Sequence, residues 1–392
     1  MLRRLAALLV LLTTVTSSTV AQAAFTRAAL GDRIDEILNA EAFEGATWGV
    51  FIRDLDNGRV LYDRSADLPM IPASNMKLVS TAAALDALGP DYRYQTSLYL
   101  DGPIEYGTLI GRLVIRGAGD PTWAGRSSRR DLADVFRQWA DSLYDAGVRN
   151  VLDTLKVSDD VIQNPDTYFV RGLRNALDER GIGLPGGVEV VTSGVSPAYQ
   201  RMRRIATHTS PPLAAFVGLT NTDSNNTYAE RILRTVASAI YPSPGPVRPS
   251  LRRRAADPLL ERFGIDPVTF VVDDGSGLSR GNRLTPIGIV RLLEGMREHP
   301  DPATRDAFVR SLPLGGFTGT LDRRYRAGDA RGNVRAKTGY IRGVRTLSGY
   351  VTTARNHTIA FSILCNGYRT RTSRVNRAQD EVVELLADYM GM

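Results

Sequence analysis

Apolar residues recur at helical spacing near both ends of the chain and at strand spacing in several runs between them. Leu30, Ile34, Ile37 and Leu38 share one face of a helix predicted over residues 28–40. The apolar runs 47–52 and 60–62 flank Asp56-Asn57-Gly58, a hairpin signal. Beyond Ser74, the residues Leu78, Ala82, Leu85 and Leu88 again lie on one helical face, and Gly89-Pro90 end it.

From 92 to 190 the pattern changes. Strand-like runs at 94–100, 107–116 and 151–157 alternate with an amphipathic helix through Leu132, Val135, Phe136, Trp139 and Leu143, which reads as an inserted module. Helical patterns return at 213–219 and 228–240, separated by the polar loop 221–226. Residues 243–249 read as a surface loop, and 268–272 as a strand leading into Asp273-Asp274-Gly275-Ser276-Gly277. Residues 332–351 and 357–364 read as two adjacent strands turned at 354–356. A final helix carries Val375, Ala378, Val382, Leu385, Leu386 and Tyr389 on one face. No internal repeat is present.

Composition adds an address. Arg3-Arg4, the apolar run 5–15 and Ala21-Gln22-Ala23 form a cleavable signal peptide over residues 1–23. No later segment approaches the roughly 18 apolar residues of a span, so the mature protein is expected to be exported, to the periplasm or beyond, without a transmembrane anchor. Hydrophobic content of 43% and 23% charged residues describe a globular chain with room for two or three domains. The single cysteine, Cys365, excludes an intrachain disulfide and a multi-cysteine metal site. The net charge of +7 comes from scattered arginines without interleaved aromatics, which gives nucleic-acid binding no support.

Among 49 Lys+Arg, the lysines are Lys77, Lys156 and Lys337 alone. Arginine stays protonated in proteins, whereas a desolvated ammonium can lose its proton and act as a base. Ser74 and Lys77 stand three apart at a predicted helix start, so they share a face, and the helix N-terminus favours developing negative charge. Lys337-Thr338-Gly339 offers a cation, a hydroxyl and a bare backbone at a strand, and Ser224-Asn225-Asn226 a hydroxyl and an amide in a loop. Acyl transfer needs such parts: an activated serine, oxyanion donors and a grip on the substrate. Each part also has a plainer reading, as an N-cap, a solvated lysine or a strand entry.

Two decoys stand beside them. Gly277-Leu278-Ser279-Arg280-Gly281 fits Gly-x-Ser-x-Gly, but that elbow needs a helix at once and a later acid and histidine, and Asn282 and Pro286 read as helix breakers. His208, His299 and His357 lack metal-ligand spacing, which argues against a zinc peptidase. Gly117-Ala118-Gly119-Asp120 lacks the third glycine of a dinucleotide fingerprint.

Taken together, Ser74-Asn75-Met76-Lys77, Ser224-Asn225-Asn226 and Lys337-Thr338-Gly339 resemble the three motifs of penicillin-binding proteins and serine β-lactamases. Gly117-Ala118-Gly119-Asp120-Pro121-Thr122, Asn225-Asn226-Thr227-Tyr228-Ala229-Glu230 and Asp274-Gly275-Ser276-Gly277-Leu278-Ser279-Arg280 are similar to the D-alanyl-D-alanine carboxypeptidase/endopeptidase branch of the low-molecular-mass penicillin-binding proteins. The resemblance implies an α+β fold, an antiparallel sheet flanked by helices, with a helical subdomain carrying Ser224. The catalytic domain would span 24–91 and 191–392, with 92–190 as the insert. The chain departs from the family in that insert, which is shorter here.

The resemblance also implies roles. Ser74 would be acylated, Lys77 would take its proton, and Ser224 would relay a proton to the leaving D-alanine with Lys77 or Lys337. Asn226 would hold the substrate's peptide amide. Lys337 and Thr338 would bind its terminal carboxylate, and Gly339 would let the strand approach. The backbone N–H groups of Ser74 and Tyr340 would form the oxyanion hole. The implied function is a serine DD-peptidase acting on peptidoglycan stem peptides and inhibited by β-lactams, with no metal or cofactor. A serine β-lactamase and a non-catalytic penicillin-binding protein are the alternatives.

Overall fold

The computed structural model describes residues 26–124, 129–162, 167–191, 201–242 and 248–390. The signal peptide expected over 1–23 lies outside them. The chain opens with helix α1 (Arg27–Leu38), capped by Thr26, whose side chain accepts from the Ala29 N–H. The hairpin β1 (Thr47–Asp54) and β2 (Val60–Arg64) follows, then α2 (Met76–Leu88). Next come β3 (Arg93–Asp101), β4 (Ile104–Glu105), β5 (Thr108–Leu109), β6 (Arg112–Arg116), α3 (Arg129–Asp145), β7 (Asn150–Val151), β8 (Leu155–Ser158), α4 (Tyr168–Glu179), β9 (Val188–Val191) and β10 (Arg203–Pro212). Helices α5 (Leu213–Thr222), α6 (Asn226–Ile240), α7 (Pro249–Arg253), α8 (Asp257–Arg262), α9 (Pro286–Arg297) and α10 (Pro302–Ser311) follow. The chain closes with β11 (Arg335–Ile341), β12 (Val344–Thr352), β13 (Thr358–Asn366) and α11 (Thr372–Ala387).

The main sheet has the order β11-β12-β13-β1-β2, antiparallel throughout. Alternation along β1 decides what covers each face. Val50 and Ile52 join Leu30, Ile34, Val382 and Leu386 of α1 and α11 on one side. Phe51 joins residues of α2, α5, α6, α9 and α10 on the other. Each such buried aliphatic side chain contributes about 1.5–3 kcal/mol. The α+β arrangement implied by the resemblance, a sheet between helices, is the one found.

A second sheet, β10-β3-β6-β8-β9, has its own core with α3 and α4. Its return strand β10 pairs with β3, so the module runs from Arg93 to Pro212, and the expected boundary at 190 falls inside it. Other expectations change as well. The run 332–351 is two strands, β11 and β12, folded at Arg342-Gly343. The apolar alternation continues through that two-residue turn and hides it. Residues 268–272 contain a short 3-10 turn, Pro267–Thr269, and one bridge, Val271 to Arg283, rather than a strand. No helix follows Ser279 at once, as expected, and the next one, α9, opens at Pro286, which occupies its first turn behind a Thr285 cap.

Candidate active site

Ser74 lies in a 3-10 turn, Ala73–Asn75, that continues directly into α2. Met76 through Leu85 are all buried, so α2 is the helix around which the helical half packs. Asn75 pins the turn to the sheet. Its Nδ2 donates to Ser348 Oγ at 2.6 Å, and Thr346 Oγ1 stands 2.9 Å from both Asn75 Oδ1 and the Pro72 carbonyl. Ala73 is held at φ 46°, a left-handed conformation that costs an L-residue about 1–2 kcal/mol. Gly277 permits it: a Cβ there would sit 1.8 Å from the Ala73 carbonyl oxygen.

Lys77 is fully buried. Its Nζ lies 2.9 Å from Ser74 Oγ, 2.7 Å from Asn226 Oδ1 and 2.6 Å from the Ser276 carbonyl. A neutral amine has two N–H donors and one lone pair. The two carbonyl oxygens accept only, so they take the two donors and leave the lone pair facing the Ser74 hydroxyl. Burial pulls the Lys77 pKa down to about 8, while the negative charges of Asp274 and Glu230 keep it from falling further. Those carboxylates also shape the loop. Glu230 accepts from the Ser276 and Gly275 N–H groups at 2.9 and 3.2 Å, and Asp274 from Gly277 and Ser279 at 2.6 Å each.

Across the cleft, Lys337 is equally buried and donates to Ser224 Oγ at 3.0 Å and to the Thr338 carbonyl at 2.8 Å. Burial, then the charges of Lys77 and Arg345, push its pKa well below the usual lysine value. Among the described residues no carboxylate figures among the charges that act on it. Thr338 Oγ1 donates to Thr320 Oγ1 at 2.8 Å. Gly339 passes the nucleophile closely: a Cβ there would lie 2.1 Å from Thr346 Oγ1 and 3.0 Å from Ser74 N. The Ala336 N–H points away from β12, to the Pro313 carbonyl, so alternation along β11 aims the Tyr340 N–H off the same edge.

The structure therefore gathers Ser74, Lys77, Ser224, Asn226, Lys337, Thr338 and Gly339 in one cleft. Two details go beyond the sequence reading. Ser224 pairs with Lys337, and half of Asn226 is already committed to Lys77, leaving its Nδ2 without a protein acceptor among the described residues. Asn225 takes the plainer role, capping α6 by accepting from the Tyr228 N–H at 3.1 Å. The third lysine, Lys156, pairs with Glu189 in the second sheet. Glu230, Thr320 and the Ser276 carbonyl were not anticipated. Glu230 stands four residues after Asn226 on α6, which is a signal, but a main-chain acceptor leaves none.

The decoys resolve differently. Ser279 Oγ donates to Asp273 and has no histidine partner, since His299 pairs with Asp86 at 3.1 Å and His357 with Asp54 at 2.7 Å. Asp54, Asp56 and His357 do come together, yet their oxygens already accept from the Asp56 and Thr358 N–H groups, Asn57 and His357. That cluster ties two hairpin turns at the far end of the sheet.

A half-buried serine beside a buried lysine thus faces a second serine and lysine across a sheet edge, the parts that acyl transfer through a serine needs. The chain belongs to the D-Ala-D-Ala carboxypeptidase 3 (S13) family, whose model matches residues 30–162 and 154–389. It is 28% identical to the D-alanyl-D-alanine carboxypeptidase of Actinomadura sp. (strain R39) over 468 residues, covering 92% of this chain and 85% of that one. It is 30% identical to carboxypeptidase DacB of Mycolicibacterium smegmatis over 359 residues, covering 80% of this chain and 75% of that one. Its fold is similar to penicillin binding protein 4 (dacB) from Haemophilus influenzae, with a TM-score of 0.77 at 21% identity over 91% of this chain and 99% of that one.

Proposed function

We propose that this chain is a serine DD-peptidase that removes the terminal D-alanine from peptidoglycan stem peptides through an acyl-enzyme on Ser74. Family membership and the names of its relatives supply the reaction class, and the neutral-amine geometry around Lys77 carries the mechanism. Ser74 Oγ attacks the carbonyl of the penultimate residue and passes its proton to Lys77 Nζ. The oxyanion forms between the N–H groups of Ser74 and Tyr340. As the C–N bond breaks, Ser224 gives its proton to the departing amine and is refilled from the Lys337 ammonium. Water then attacks the ester, its proton passing through Ser224 to the Lys337 amine while the Lys77 ammonium returns its proton to Ser74 Oγ, which frees Ser74 and the shortened peptide.

Asn226 Nδ2 is placed to hold the substrate's peptide carbonyl, and Lys337 with Thr338 its terminal carboxylate. A β-lactam, which presents a strained amide and a carboxylate together, acylates the same serine. Among the described residues no helix is long and apolar enough to cross a membrane, which fits an enzyme exported by its signal peptide to the periplasm or beyond, where its polymer lies.

The test is a fluorescent penicillin, with the adduct located by mass spectrometry and D-alanine release followed from a pentapeptide. A long-lived adduct at Ser74 with D-alanine release is expected. No adduct at Ser74 contradicts the mechanism, and rapid loss of the adduct without peptide turnover makes the chain a β-lactamase.

A further inference from the structure

We propose that Thr320 is a further substrate-binding residue, a second hydroxyl that grips the free carboxylate at the end of the peptide. This rests on the reading of Ser74 and Lys337 above. Thr338 is nearly buried, 4% exposed, and donates its one hydroxyl proton to Thr320 Oγ1 at 2.8 Å. Thr320 is half-exposed on the cleft side, and its own proton has no protein acceptor among the described residues. A hydroxyl carries one proton and two lone pairs, so the pair as it stands presents one donor to the cleft, and that donor belongs to Thr320. An arriving carboxylate has oxygens for both hydroxyls once Thr338 turns its proton from Thr320 to the ligand. That carboxylate is also the counterion that the buried Lys337 lacks among the described residues.

The fold holds Thr320 there deliberately. Its short turn, Gly319–Leu321, is wedged against the Thr222 carbonyl just before Ser224. The preceding segment lies along β11, with the Ala336 N–H on the Pro313 carbonyl and the Gly315 N–H on the Val334 carbonyl. One segment thus touches both the loop of Ser224 and the strand of Lys337.

The experiment compares a peptide ending in a free D-Ala-D-Ala acid with its C-terminal amide, for the wild type, Thr320→Val and Thr320→Ser. Thr320→Val is expected to lower kcat/KM for the acid by about 10- to 30-fold, mostly through KM. It should cost the amide, whose carbonyl accepts the same proton more weakly, distinctly less and leave the melting temperature unchanged, and Thr320→Ser should restore the acid. Equal losses on acid and amide, or no loss in Thr320→Val, overturn the assignment. If the valine variant is unstable, Thr320→Ala read by the acid-to-amide ratio decides the same point. A wild type that forms no adduct at Ser74 instead overturns the underlying reading.

Discussion

The two sides of the cleft are built from the same parts, and burial pulls both lysines below the ordinary lysine value, but only one has carboxylates beside it to limit the fall. Each places a buried lysine against a serine hydroxyl, Lys77 on Ser74 and Lys337 on Ser224. On the Lys77 side, Asp274 and Glu230 stand close enough to hold the pKa at about 8. On the Lys337 side no carboxylate among the described residues answers, and the neighbouring charges that act on it, Lys77 and Arg345, are both positive. A lysine poised near the working pH can serve as a base. A buried lysine lacking a counterion waits for one, and the substrate's carboxylate is the charge that fits. On the function proposed above, difference in acidic neighbours, rather than in residue type, separates base from anion clamp.

The comparison breaks most severely at Lys77. Lys77→Met and Lys77→Arg each remove the lone pair, so Ser74 acylation should fall by about 10²–10⁴-fold, read by the rate of penicillin adduct formation. Near-normal acylation in both variants would take the base role away from Lys77. On the other side, Lys337→Met should cost about 100-fold in the preference for a free acid over an amide. On a carboxylate-free ester the loss should be smaller, because only the proton that Lys337 relays through Ser224 to the departing alcohol is missing, and an unchanged acid-to-amide ratio would count against the clamp. The smallest effect sharpens the contrast. Glu230→Gln removes one of the charges that hold the Lys77 pKa up. The acid limb of ester acylation should therefore move down by roughly half a pH unit, making the variant a few-fold faster at pH 7. A limb that stays in place or moves up would show that Glu230 only shapes the loop.

How much of this was legible follows from where the chemistry is written. Ser74, Lys77, Ser224, Asn226 and Lys337 declare themselves by side-chain type and by the scarcity of lysine. The Ser276 carbonyl does not, because every residue has a carbonyl and only the loop held by Asp274 and Glu230 aims this one. Thr320 is separated from Thr338 by 18 positions and joined to it by a turn wedged on Thr222, which no local pattern encodes. In the fold, alternation identified the strands but not where one ends, as the turn at Arg342-Gly343 shows. Proline both stops and starts helices, so Pro286 marks the absence of a helix before it while only the Thr285 cap marks the start of α9. The second sheet's edge was misplaced because β10 pairs back across more than 100 residues to β3.

The central claim is that Lys77, as a free amine, deprotonates Ser74. The direct measurement is the rate at which an acyl-D-alanine methyl ester acylates Ser74 between pH 6 and about 9.5, followed by mass spectrometry of the acyl-enzyme. The ester has no carboxylate, so Lys337 enters only as the proton source behind Ser224, and Lys337→Met run beside the wild type separates that contribution. Because the pKa of Lys77 is lowered to about 8, the rate should climb about tenfold per pH unit below that value and level off above it. The climb should be absent in Lys77→Arg. A rate independent of pH across this range, or the same climb in Lys77→Arg, would contradict the account.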